Sequence, residues 1–143
     1  GMISRYDGYK IYPNALENAV TSSSYVEDAM VSEYYDESNF GAMPLIYVVL
    51  SKESKGIDIK DIIKNIIDNY ILSNNNMSFR DIPTKWKVVD ELPYTTALKK
   101  DYKKIKENGI DGSEISIVCH ETNMGLSYYD IVMPTKGKKL IKK

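Results

Sequence analysis

A chain of 143 residues with 43% hydrophobic and 27% charged side chains has the length and composition of one globular domain. Twenty acidic against nineteen basic side chains leave a formal charge of -1, without the broad basic field that general binding to nucleic acid or anionic lipid requires. One cysteine, Cys119, and one histidine, His120, exclude an internal disulfide, a cysteine-rich zinc site and a histidine-rich metal centre, so stability has to come from an apolar core. No apolar run approaches the roughly 20 residues of a membrane-spanning helix, and the opening residues lack the plan of a secretion signal, so the expected compartment is cytoplasmic. Twelve tyrosines against two phenylalanines imply many rings half-buried with a solvated hydroxyl, as in a small domain that presents a face to something else. Lys136, Lys138, Lys139, Lys142 and Lys143 crowd the last eight residues and leave fourteen bases against twenty acids elsewhere. This basic end reads as a solvated terminus.

At the start, β-favouring residues flank Asp7-Gly8, a dipeptide suited to a tight turn, and predict a short hairpin over 2–12. Pro13 can open a helix because it needs no amide partner there, and Ala15, Leu16, Ala19 and Val20 recur on one helical face. The run Ser22-Ser23-Ser24 should end it. A half-buried strand is predicted over 26–34, a polar loop over 36–41, and a strand covered on both sides at the unbroken apolar run Leu45-Ile46-Tyr47-Val48-Val49-Leu50. These two strands should pair antiparallel. Ile59, Ile62, Ile63, Ile66, Ile67, Tyr70 and Ile71 keep the spacing of a single helical face, opposite Lys60, Asp61, Lys64, Asn65 and Asp68. Isoleucine is a modest helix former, so burial of that stripe against a sheet must hold the helix.

Trp86 and Val88 alternate with Lys85 and Lys87 as a further strand, closed before Pro93. A lysine-rich helix over 101–107 ends at Asn108-Gly109. Strands at 115–119 and 127–132, on either side of Thr122-Asn123-Met124-Gly125, make a last hairpin that should add to a sheet edge. The order ββ-α-β-β-α-β-α-ββ predicts an α+β fold, a small, mainly antiparallel sheet with helices packed on one face.

Catalytic constellations are missing. A Ser-His-Asp or Cys-His unit would have to centre on His120, yet Cys119 beside it alternates to the other face of the strand, so His120 reads as an ordinary strand residue. No glycine-rich loop of Walker or Rossmann spacing is present. The carboxylate pairs Asp36 with Glu37 and Asp90 with Glu91 fall in polar loops and read as solvated.

Two segments carry more information together. Gly8-Tyr9-Lys10-Ile11-Tyr12-Pro13-Asn14-Ala15-Leu16-Glu17 resembles the stretch G-[YFH]-[KRQ]-[IV]-x-P-x-x-[IL]-E that opens the C-terminal domain of adenylate-forming enzymes, which include the acyl-CoA synthetases, the luciferases and the adenylation domains of peptide synthetases. Trp86-Lys87-Val88-Val89-Asp90-Glu91-Leu92-Pro93-Tyr94-Thr95-Thr96-Ala97-Leu98-Lys99 is similar to that domain's final [FW]-x-x-V-[DE]-x-L-P-x-T-x-x-G-K. Phe79-Arg80-Asp81-Ile82-Pro83 stands where the family has Y-x-[VI]-P. The resemblance covers residues 2 to about 106, in order, with 107–143 as a C-terminal extension.

The resemblance implies a lid. In the family a large N-terminal domain holds ATP, its Mg and a carboxylic acid, and the small C-terminal domain closes over them in two successive orientations. One places a lysine over the reacting groups for acyl-adenylate formation; the other turns a glycine-bearing hairpin toward the entering thiol. The motif puts the lysine at Lys99 and the thiol side, for CoA or a carrier protein, at Gly8 and Tyr9. No metal ligand and no cofactor of its own are implied for this chain, which would be inactive without its N-terminal partner. Leu98 replaces the family's glycine and Lys100 follows directly, so two lysines remain open for the reaching role. Leu98 and the extension also leave open a different class, a stand-alone, non-catalytic protein-binding module with the same fold.

Overall fold

The computed structural model describes Gly1–Pro134; the basic end predicted as a solvated terminus lies outside the described residues. A two-stranded antiparallel hairpin, β1 (Ile3–Ser4) and β2 (Lys10–Ile11), is followed by helix α1 (Pro13–Thr21), with Pro13 at its first position. Strands β3 (Val26–Asp36) and β4 (Gly41–Leu50) pair antiparallel over their whole length. Helix α2 (Ile59–Ile66) is capped by the Asp58 side chain, which accepts from the Lys60 amide at 2.9 Å, and runs on into a π-helical turn, Ile67–Ile71. Then come β5 (Lys85–Val88), α3 (Tyr102–Asn108, capped by Asp101), β6 (Ser113–Glu121) and β7 (Ser127–Val132).

The main sheet has the order β3-β4-β5-β6-β7, with β4 and β5 parallel and the other pairs antiparallel. The fold is α+β and the sheet mostly antiparallel, as the pattern of elements predicted. The last hairpin extends the sheet through Trp86 opposite Ile115 and Lys87 opposite Glu114.

One face of the sheet, with Ala29, Val31, Ile46, Val48, Trp86, Ile115 and Ile117, packs against Leu16 and Val20 of α1 and the isoleucine stripe of α2. Ile62, Ile63, Ile66, Ile67 and Ile71 are at most 1% exposed, which is what stabilises a helix made of β-branched residues. The expectation of helices on one face does not hold. Ile105 of α3 packs with Met30, Leu45, Tyr47 and Val49 on the opposite face. The physical reason lies in β4: an unbroken apolar strand points alternate side chains to both faces, and both need cover.

Candidate functional site

Lys99 sits on a tight loop between β5 and α3. The loop closes on itself: the Asp101 amide donates to the Pro93 carbonyl at 2.9 Å, Thr95 to Lys99 at 2.8 Å and Leu98 to Thr95 at 2.9 Å, and Tyr94 and Lys100 form a β-bridge. Leu98 has a φ of 61°, in the left-handed region that glycine enters most readily, and its side chain is 83% exposed. Lys99 and Lys100 leave this turn in different directions. Lys99 is exposed, and among the described residues no side chain partners its ammonium.

Lys100 turns inward. Its Nζ donates to the Ala29 carbonyl at 2.7 Å and to Glu17 Oε1 at 3.0 Å, with Asp28 Oδ1 at 3.4 Å. Glu17, on α1, is only 3% exposed, and it also accepts from the Val31 amide at 2.8 Å and from the Tyr102 hydroxyl at 2.7 Å. Asp28 accepts a hydrogen bond from the Tyr94 hydroxyl. Glu17 and Lys100 thus satisfy the open edge of β3, where an unpaired amide and carbonyl would otherwise face outward. The hydrogen bond to Asp28 pushes the Tyr94 hydroxyl up to about 12, and burial beside Glu17 raises Tyr102 further, so both remain donors at neutral pH.

Gly8 lies at the tip of the first hairpin with φ 84°, and a side chain added there would meet nothing within 4 Å. The hairpin is fastened from both sides. The Tyr6 amide donates to the Ala42 carbonyl at 3.0 Å, and Asp7 pairs with Arg5 at 3.1 Å and Arg80 at 3.3 Å. Arg80 also reaches Glu121, at 3.4 Å, so the last hairpin touches the first through one arginine. Tyr9 points its ring into the fold: its hydroxyl donates to Asp81 at 2.5 Å and accepts from Ser78 at 3.0 Å. What Tyr9 leaves at the surface beside Gly8 is therefore chiefly backbone.

Gly8 and Lys99 are joined by no hydrogen bond or ion pair among the described residues; they occupy separate surface turns, one docked on β4 and the other on the β3 edge. His120 forms a 3.0 Å pair with Asp130 and stacks on Tyr128 with ring centres 4.6 Å apart, a cross-strand arrangement within the last hairpin. Cys119 reaches solvent, but its packed surroundings push the thiol up to about 11, so at neutral pH it is a protonated, weak nucleophile. Among the described residues no group of three metal-ligating side chains comes together, and no helix is long and apolar enough to cross a membrane.

No family model matches the chain. A curated relative, the 2-succinylbenzoate–CoA ligase of Staphylococcus epidermidis, is 27% identical over 104 residues, which is 73% of this chain and 20% of the relative. Among solved structures, o-succinylbenzoate CoA synthetase (MenE) of Bacillus subtilis, a double mutant bound with its product analogue OSB-NCoA, superposes with a TM-score of 0.58 at 26% identity, covering 79% of this chain and 20% of that one. These similarities fit the C-terminal domain of the adenylate-forming superfamily. The amide bond synthetase McbA of Marinactinospora thermotolerans shares the fold, with a TM-score of 0.58 at 20% identity over 73% of this chain and 19% of its own. The chain spans about a fifth of the length of the relatives it matches.

The sequence motifs located the turn of Lys99 and the tip at Gly8 but not the cluster of Glu17, Asp28, Tyr94, Lys100 and Tyr102 that holds the first of them. One signal was available. Glu17 is an acid set between Leu16 and the Ala19-Val20 pair of an apolar helical stripe, a position that calls for a buried partner.

Proposed function

We propose that this chain is the lid of an ATP-dependent carboxylate–CoA ligase, with residues 2–106 as the lid proper and 107–143 as an extension that lengthens its sheet. An N-terminal adenylate-forming domain holds ATP with its Mg and the carboxylic acid, and CoA accepts the acyl group. The curated relative's name as a CoA ligase supports CoA over a carrier-protein thiol. The charge balance gives no basis for a nucleic acid partner, and the cytoplasm is the compartment where such substrates are met.

The observation that carries this reading is the backbone of Leu98. A leucine at φ 61° costs about 1–2 kcal/mol relative to ordinary backbone, yet the turn keeps the form that the family's glycine allows and delivers Lys99 outward. An ammonium on a long stem, with no side-chain partner among the described residues, can meet negative charge developing between carboxylate and phosphate oxygens and leave again when the domain turns. At Gly8 the absence of a side chain leaves a smooth backbone past which a long thiol-bearing arm can move. The separation of the two turns on the surface suits a lid that offers one for each half-reaction.

The test is to separate those half-reactions in the full-length ligase. Lys99→Ala should slow adenylate formation by about 10²–10³, the usual loss on removing one preorganised electrostatic contact, and leave thioester formation from supplied adenylate nearly unchanged. Gly8→Asn, a side chain that tolerates positive φ, should do the reverse. Equal losses in both half-reactions for Lys99→Ala would remove its assignment, and an unaltered thiol step in Gly8→Asn would remove the other.

A further inference from the structure

We infer that Glu17 is a positioning residue: by drawing Lys100 and Tyr102 down onto the edge of β3, it determines that Lys99, of two adjacent lysines, is the amine this loop presents. The inference rests on the ligase reading of Lys99. A lysine ammonium has three N–H donors, and Lys100 faces three acceptors of its own fold: Ala29 O at 2.7 Å, Glu17 Oε1 at 3.0 Å and Asp28 Oδ1 at 3.4 Å. Two of its donors are committed to hydrogen bonds, and the ammonium also pairs with the Asp28 carboxylate. The Glu17 carboxylate takes its own hydrogen bonds from Val31, Lys100 and Tyr102, so all of them are charge-assisted, and the carboxylate itself is buried.

The clasp grips both flanks of the loop. Tyr94 is tied to Asp28 ahead of Lys99; Lys100 and Tyr102 are tied to Glu17 behind it. With Lys100 bonded inward on the β3 edge, Lys99 is left on the exposed side of the same turn. A loop released from Glu17 is free to slip by one residue and offer Lys100 instead. Leu98 gives the turn no glycine to select the register, so the carboxylate on α1 carries that task.

Competitive amine acylation of the intact chain, read residue by residue by mass spectrometry, tests this without any catalysis. In the native chain Lys100 should react about tenfold or more slowly than Lys99, the protection that charge-assisted hydrogen bonds confer, and the ratio should approach one in urea. In Glu17→Gln the Lys100 rate should rise about tenfold while Lys64 and Lys103 keep theirs; a general loosening of the fold would raise them all together. Tyr102→Phe, which keeps the carboxylate, should move the ratio less. Equal reactivity of Lys99 and Lys100 in the native chain overturns the inference, and so does a folded Glu17→Gln chain with an unmoved ratio. Should Glu17→Gln not fold, the native ratio alone decides. If the protection holds while Lys99→Ala spares adenylation in the full-length ligase, the clasp stands and the ligase reading falls.

Discussion

A methyl group on Gly41 would lie 2.7 Å from Cβ and 2.9 Å from Cα of Tyr6: the first residue of β4 and the hairpin that carries Gly8 meet with no room for a side chain between them. The contact is to main chain and Cβ, which cannot swing aside as a flexible side-chain tip could. Beside it the Tyr6 amide bonds the Ala42 carbonyl at 3.0 Å. The position of Gly8 therefore depends on a glycine thirty-three positions away in the chain.

Gly41→Ala should destabilise the domain by about 1–3 kcal/mol, the usual cost of overpacking a tight contact. The displacement should concentrate in the first hairpin. Urea unfolding measures the loss, and amide chemical shifts of residues 3–11 should move more than those of α2 and β5. A neutral substitution with an unshifted hairpin would show that the contact is not limiting.

Leu98→Gly should act in the opposite sense. The left-handed backbone of Leu98 is strained, and its side chain is 83% exposed, so little packing is lost on its removal. Relief of about 1–2 kcal/mol of strain is offset in part by the greater freedom of glycine in the unfolded chain, leaving a net gain of about 0.5–1 kcal/mol. The check is the urea midpoint at constant slope. A loss of stability would mean that Leu98 makes contacts that outweigh its backbone strain.

Alkaline pH should weaken the fold through its raised tyrosines, Tyr94, Tyr102 and Tyr129 above all. Tyr94 is raised to about 12 chiefly by its hydrogen bond to Asp28; Tyr102 and Tyr129 are raised chiefly by burial, reinforced by hydrogen bonds to Glu17 and Asp68. The folded state disfavours their ionised forms, so the unfolded chain releases these protons at lower pH. Their contribution is whole below about pH 10, the unfolded value, and is lost as pH rises toward the folded ones. The urea midpoint should fall above that pH, together with phenolate absorbance appearing on unfolding, and Tyr129→Phe should flatten the fall. A midpoint that rose in this range would contradict the assignment.

The fold was legible wherever side-chain period and burial agree. The isoleucine stripe of α2, the apolar run of β4 and the proline that opens α1 each declare their element locally, because the residues that form the element are the ones that bury it. The side of the sheet taken by α3 was not legible. That helix buries a single isoleucine, Ile105, too little pattern to name a face; the uncovered Leu45, Tyr47 and Val49 on the far side of β4 decide where it goes.

The candidate site divides in the same way. The Asp7-Gly8 dipeptide located the hairpin tip, since its backbone form follows from its own residues, and the resemblance of 86–99 to the family's final motif located the turn that ends in Leu98-Lys99-Lys100. Tertiary structure decided which lysine faces outward, because the carboxylate that draws Lys100 inward belongs to Glu17, eighty-three positions away. A local signal is written into neighbouring side chains and can be read in one pass along the chain. A long-range pairing becomes definite only when burial removes water and leaves each charge a single partner to meet.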